Sequence, residues 1–468
     1  MNKSILRWEG DFTKRVLRLA IPIAAQSLML ALMHVLDNVM IGNLGEIELA
    51  GVTQANRITF LMQVIMFGLI SGSSILVSQY WGKKDLKGIH SLMGLGLITS
   101  FAIALAFAIP SLLIPEKLMR LLIQDEASVA AGVEYLRIIW VVYLMDALLM
   151  LNESVLKSTD NAMLPAICSV VGILMNTLFN WLLIFGRLGF PRMGVRGGAL
   201  ATLIAIGTQL ICLLVASYVR KLPNAVKPNQ LRLPARAVIV RYIKTVSPVL
   251  LNETLWSFGT VMYSAAYGRM GAGAVAAMSI FSSVEQLSFV TLRGMTNACS
   301  VLVGNAIGAK LEDDAYLIAK RMLLYTFFFA ILTGVFVLLF AGNIVSLFNV
   351  QGDTAESARM IINEYAALMW LSAIVSTLVV GIMRAGGDVV YSGIIDVIFL
   401  WLVGVPAVWI CGPGVQMSIF GLNINIAGLM LPIHLLYLVA KGEELLKLGF
   451  AFTRLKSRKW IHNLVEDV

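Results

Sequence analysis

Residues 73–85 read SSILVSQYWGKKD, and residues 299–313 read CSVLVGNAIGAKLED. The two stretches lie 226 positions apart, and sliding residues 20–84 along the chain by that amount, without gaps, extends the match. Pro22 falls on Pro248, Gly42 on Gly268, Gly45 on Gly271, Ala50 on Ala276, Gly68 on Gly294, Gly82 on Gly308 and Lys84 on Lys310. Thirteen of the 65 positions are identical. Shared hydrophobicity alone does not align glycines and a proline, which act on backbone conformation, so the chain carries a duplicated unit.

Composition says what kind of unit this is. Of 468 residues, 59% are hydrophobic and 13% charged, and the mean hydropathy is +0.84, far from ordinary soluble domains. This is the signature of an integral membrane protein. A helix needs about 20 apolar residues to cross the hydrocarbon, because each backbone polar group must be satisfied within its own segment. Twelve stretches qualify, at 17–42, 57–79, 91–114, 133–155, 163–186, 198–219, 245–268, 276–304, 318–341, 363–384, 391–411 and 421–440. They are continuous rather than alternating, which excludes barrel strands. The predicted fold is therefore an all-α polytopic membrane protein. The first stretch, from Leu17 to Gly42, reads as a retained signal anchor, since no charged and apolar leader with a small-residue cleavage site precedes it.

The longest polar interruption, RKLPNAVKPNQLRLPARAVIVR at 220–241, follows the sixth span and contains three prolines. The expected organisation is an N-terminal lobe over 1–219, a cytoplasmic linker over 220–241, a C-terminal lobe over 242–440 and a cytoplasmic tail over 441–468. Six spans per half is an even number, so the halves enter the membrane in the same sense and are parallel six-helix repeats. Parallel-repeat carriers hold substrate near the midplane at the repeat interface and work by rocking.

Orientation follows from Lys and Arg in short loops. Lys83, Lys84 and Lys87, the 220–241 linker and the tail around Lys456, Arg458 and Lys459 are basic, whereas the 1–2 loop carries Glu46 and Glu48 and the 9–10 loop Asp353 and Glu356. Both termini are thus expected in the cytoplasm of a plasma (inner) membrane of bacterial type, despite Arg187, Arg192 and Arg196 in the 5–6 loop. The net charge of +9 is explained by this bias and by attraction to anionic lipid headgroups, without a nucleic-acid partner. Cys168, Cys212, Cys299 and Cys411 lie in or beside apolar spans with no C-x-x-C.

Several motifs carry a family resemblance. The repeated proline opening spans 1 and 7, the two stretches quoted first, NTLFNWLLIFG at 176–186 and GIMRAGGD at 381–388 together resemble the multidrug and toxic compound extrusion (MATE) family. The resemblance covers nearly the whole chain. It implies a two-lobe bundle that exports organic cations or other amphipathic compounds, driven by inward flow of Na⁺ or H⁺, with no other cofactor. A monomer is expected.

Charges inside the spans supply the candidate sites, because an intramembrane carboxylate is costly and should face a cavity or a partner. Asp37 in span 1 is the first. Asn176 and Asn180 in span 5 lie four apart and share a face. A carboxylate with two amide carbonyls suits Na⁺, and a buried carboxylate equally suits a proton carrier. The resemblance implies that these three form an N-lobe cation or proton site, with Thr202 of span 6 as a fourth member. His34, three residues before Asp37, is a candidate modulator.

In the second lobe Glu253 of span 7 is the matching candidate. It aligns with Ser27 across the repeat, while Asp37 aligns with Tyr263, so the two carboxylates sit ten residues, about 15 Å, apart in register. Glu253 resembles the span 7 glutamate of NorM-like members, but YAALMWLSAIV at 365–375 lacks the acid those members carry in span 10. Glu285 and Arg293 of span 8 and Asp396 of span 11 are further C-lobe candidates, Arg293 needing a partner among Glu253, Glu285 and Asp396. Arg384 and Asp388, at the end of span 10, read as a loop anchor. Met residues and Trp140, Tyr143, Trp256, Tyr263, Tyr267 and Phe289 suit a cavity for flat cations.

The sequence contains no GxxxxGK[ST], H-E-x-x-H or G-x-S-x-G, so neither ATP drive nor an intramembrane enzyme is supported. Rival readings are a flippase for lipid-linked precursors, which calls for a basic cavity, and a receptor without flux. Intramembrane acids outnumber bases, which favours cationic cargo.

Overall fold

The computed structural model describes residues 9–227, 235–346, 348, 350–419 and 422–466. It divides into two compact units: Gly10–Leu250 with the segment from Leu464, and Leu251–Asn463. Residues 228–234 of the expected linker lie outside the described residues.

The first unit is built from α1 (Glu9–Gly42), α2 (Glu46–Gly82), α3 (Leu86–Leu113), the short α4 (Pro115–Leu122), α5 (Glu126–Ser158), α6 (Met163–Phe185) and α7 (Val195–Val219). The second takes α8 (Arg236–Arg269) from Leu251 onward, α9 (Ala272–Gly308), α10 (Glu312–Ser346) and α11 (Asp353–Ser376), which runs on as a π-helical segment, Thr377–Arg384. It continues with α12 (Val389–Phe399), a second π-helical segment Leu400–Gly404, α13 (Val405–Cys411) and α14 (Ile433–Ser457). With α12 and α13 counted as one rod and α4 set aside, six helices of spanning length stand in each half among the described residues. Ten described helices are long and apolar enough to cross a membrane. The other two, α8 and α14, have the length but are less apolar.

The duplication is visible in the backbone. Both α2 and α9 are 37 residues long, and they start 226 positions apart. Each is entered through a glycine at positive φ, Gly45 at +154° and Gly271 at +108°, and left through a lysine in the left-handed region, Lys84 at 60° and Lys310 at 62°. A single left-handed residue ends one helix and redirects the chain into the next within a few residues. The following helix of the first unit is capped by Asp85, whose side chain accepts from the Gly88 amide at 2.9 Å. Asp125 caps α5 in the same way through Ser128, and those hydrogen bonds hold its carboxyl below the usual range.

Helices α2 and α5 touch backbone to backbone. A Cβ on Gly51 would stand 2.4 Å from the Ser128 carbonyl oxygen and 2.9 Å from the Gly132 nitrogen. Gly51→Ala is therefore expected to destabilise by about 1–3 kcal/mol through overpacking. Gly442→Ala in α14, with nothing within 4 Å of the new methyl, should be neutral or slightly stabilising. Thermal unfolding of the two variants in detergent checks the contrast.

One boundary differs from the sequence reading. Span 12 was expected at 421–440, but Gly414–Ile419 and Leu422–Ala427 pair as an antiparallel hairpin, and the helix begins only at Ile433. Window hydropathy counts apolar residues without their period. The stretch LNINIA alternates with period two, and GPG at 412–414 stands ahead of the hairpin, which is strand and turn chemistry. Residues 441–457, expected as tail, are the second half of α14, with Glu443 and Lys447 buried. Beyond α14, Trp460 is fully buried in the second unit and donates from Nε1 to the Leu455 carbonyl at 3.2 Å. Val465 is fully buried in the core of the first unit, where its carbonyl accepts from Lys83 Nζ at 2.7 Å.

Candidate ion and substrate sites

In the first unit α1 delivers Asp37 to the face of α6 that carries two amides. Asn180 Nδ2 donates to Asp37 Oδ1 at 2.5 Å and to Asn176 Oδ1 at 3.1 Å. Both asparagines are fully buried, at 0% and 1% exposure, while Asp37 is half-buried. Asn180 Oδ1 has no hydrogen-bond partner, and Asn176 also acts on the Asp37 carboxylate through its side-chain amide. Unpartnered buried amide atoms are costly in a fold and ask for an explanation by function or by a guest.

Thr202 reaches this cluster through a residue the sequence reading missed. Its hydroxyl donates to the Gly198 carbonyl at 3.1 Å and is also in hydrogen-bonding contact with Tyr135 of α5. Tyr135, 5% exposed, contacts Asn56 of α2 as well and lies close enough to Asp37 to interact with it electrostatically. Five helices thus converge on one carboxylate. The side chain of His34 lies outside the described residues.

A second carboxylate of this unit, Glu153 of α5, was also missed. Gln26 Nε2 reaches one of its oxygens at 2.7 Å and Gln209 Nε2 the other at 2.9 Å, and both amides also donate to Ser169 Oγ at 3.0 Å. Lys157 adds an ion pair at 3.2 Å. Both carboxylate oxygens of Glu153 are met, so it reads as a clamp across α1, α5, α6 and α7. The signal was present in the spacing of Glu153 and Lys157, four apart at the end of an apolar span.

The second unit is charged differently. Glu253 Oε1 pairs with Arg384 Nη1 at 2.6 Å, the side chains being 15% and 3% exposed. Arg384 is not a loop anchor, then; Asp388 instead takes Arg454 at 2.7 Å. Asp396 pairs with Lys447 at 2.9 Å and accepts from Asn252 at 3.3 Å, and Lys447 also reaches Glu443 at 3.2 Å. Lys441 pairs with Glu444 at 2.9 Å and donates to Ser372 at 3.1 Å, while Glu285 interacts with Lys441 and Arg293 electrostatically.

The pairing expected for Arg293 is not made. Among the described residues no carboxylate lies within ion-pair distance of it; Glu253 and Glu285 act on it only electrostatically, and its guanidinium stands 5.8 Å from the Phe289 ring centroid. The competing charges come from α14, which supplies the bases Lys441 and Lys447 and the acids Glu443 and Glu444, all beyond the expected end of span 12. Tyr263, which occupies the repeat position of Asp37, keeps an unpartnered hydroxyl. That hydroxyl and the unpartnered Glu443 Oε2 fall 2.0 and 2.7 Å from where a Cβ on Gly404 would sit, so only a glycine fits there. Both π-helical segments bear on this region, one ending at Arg384 and the other at Gly404, as such segments commonly do at functional sites.

Comparison with known proteins places this architecture. The MatE family pattern matches residues 22–182 and 248–410, one match in each repeat. The chain is 22% identical over 416 residues to the probable multidrug resistance protein NorM of Thermotoga maritima, covering 88% of each. It is 26% identical over 397 residues to human multidrug and toxin extrusion protein 1, covering 84% of this chain and 68% of that one. Among solved structures, an outward-facing conformation of a multidrug resistance MATE family transporter of the MOP superfamily has the same fold, with a TM-score of 0.82 at 17% identity over 98% of this chain and 99% of that one. With the pattern present in both repeats, the chain belongs to the multidrug and toxic compound extrusion (MATE) family of multi-pass membrane efflux transporters.

Proposed function

We propose that the protein is a secondary antiporter that exports organic cations or amphipathic drugs in exchange for Na⁺ or H⁺, by alternating access of its two lobes, with both termini in the cytoplasm of a bacterial-type inner membrane. The observation that carries the reading is the half-buried Asp37 facing two buried asparagines, with the Asn180 amide oxygen unpartnered. Half a turn of the Asn180 amide would replace its donor by Oδ1, so that Asp37, Asn176 and Asn180 present three oxygens. Hard cations such as Na⁺ prefer such oxygens. The same carboxylate, protonated, would donate to that oxygen instead. The cation version replaces the hydrogen bond that now ties α1 to α6 and the proton version reverses it, which links occupancy to the contact between the two helices.

The test is efflux of ethidium or norfloxacin from reconstituted vesicles under a pure Na⁺ gradient and then a pure H⁺ gradient. Flux under one of them is expected, and flux under neither, beside a working reference carrier, would sink the proposal. One observation favours the flippase reading: in the second unit Glu253, Asp396 and Glu444 are each paired with a base, and Arg293 has no ion pair among the described residues. Flux of a lipid-linked diphosphate and none of the cations in the same vesicles would establish that alternative.

A further inference from the structure

The second unit has a groove that the transport site does not use. It lies between α10, α11 and α14, encloses about 500 Å³, and is lined by Tyr316, Lys320, Phe327, Trp370, Phe452 and Lys456 among others. That volume is within the range of about 300–1,000 Å³ typical of small-molecule pockets. Its floor is apolar and buried, with Leu323 at 8%, Ile374 at 6% and Leu455 at 3% exposure. Its walls are open: Leu324 is 56% exposed, and Phe327 and Phe452 are 37% exposed.

The groove is polar at one end only. α10 starts and α14 finishes there, and the ion pair of Arg458 with Asp313 at 2.7 Å ties the two helix ends together. Lys320 Nζ and the Arg458 guanidinium both approach the Tyr316 ring, each at 4.4 Å from its centroid. Asp313 is taken by Arg458, and among the described residues no carboxylate pairs with Lys320 or Lys456. From the lysines the groove runs inward for seven residues of α10 to Phe327 and eight of α14 to Leu448, about 10–12 Å at 1.5 Å per residue.

We propose that this groove is a binding site for an anionic phospholipid, with its phosphate between Lys320 and Lys456 and an acyl chain along Leu324, Phe327, Trp370 and Phe452. Two ammonium groups without carboxylate partners complement a phosphate and repel a cationic drug. The open aromatic walls, on helices that span the membrane, match a chain lying parallel to them. A zwitterionic phospholipid fits the same apolar channel but satisfies the lysines less well, because its own cation sits beside the phosphate.

Native mass spectrometry of the full chain in detergent, with added phosphatidylglycerol or phosphatidylcholine, tests this directly. The protein is expected to retain phosphatidylglycerol in preference. Lys320→Ala with Lys456→Ala should weaken phosphatidylglycerol about 25-fold, roughly fivefold per lysine, and leave phosphatidylcholine unchanged. Leu324→Trp, which fills the channel with both lysines intact, should weaken both lipids. Lys87→Ala with Lys117→Ala removes the same charge from the other unit and should change neither. The proposal is overturned if the groove lysine pair keeps the wild-type affinity, if the control pair loses as much, or if the wild-type protein holds the two lipids equally.

Discussion

Asp37→Asn is expected to leave the protein inserted and folded while gradient-driven efflux falls to the level of empty vesicles. The amide has nearly the size of the carboxylate, so α1 keeps its packing. What disappears is the charge that receives the Asn180 hydrogen bond at 2.5 Å. A bound cation loses the Coulomb attraction of the carboxylate, about 4 kcal/mol at 4 Å and an effective dielectric of about 20, and a proton loses its acceptor, so ion affinity should fall by roughly 1,000-fold. An ion drives a conformational change only through the difference in its affinity for the two states. With that difference gone, substrate still binds at equilibrium, but a gradient cannot move it. Asn180→Leu should have the same sign and a smaller effect, because Asp37 and Asn176 Oδ1 remain. Wild-type efflux in Asp37→Asn would remove this residue from the mechanism.

How much of this was readable from residues alone depended on period and on partner. The repeat offset of 226, carried by Gly45, Gly82, Lys84 and their counterparts, reappears in α2 and α9 because those positions set the turns themselves. The Asp37, Asn176 and Asn180 cluster was legible because an i,i+4 pair on a regular helix has one face. Arg384 was not, since it ends a π-helical segment whose wider turn displaces the face that 3.6-residue spacing predicts. Lys441, Glu443, Glu444 and Lys447 were lost for a different reason: hydropathy ended the last span where charge began, although those charges are buried by pairing with one another and with Asp396 and Ser372. Tyr135 and Asn56 carried no signal, being single polar groups whose partner lies on another helix.

The ion pair of Glu253 and Arg384 supplies the second large effect. Arg384→Met leaves Glu253 charged and without this base at a position only 15% exposed, and removing one partner of a buried pair costs about 3–5 kcal/mol. Unfolding in detergent should shift accordingly. The double variant Glu253→Gln with Arg384→Met removes both charges, and since apolar or neutral replacements of buried pairs are often neutral or stabilising, it should recover most of the loss. The difference between the single and double variants is the coupling between the two side chains. Efflux then separates two roles for Glu253. If the carboxylate only holds α8 to the end of the π-helical segment, a double variant that folds as well as the wild type will also transport as well. The expected outcome is recovery of stability without recovery of efflux, because Glu253 faces a base that can be displaced by a cation, as a ligand for ion or drug must. Full transport in the double variant would assign the pair to architecture and leave Asp37 to carry coupling without it.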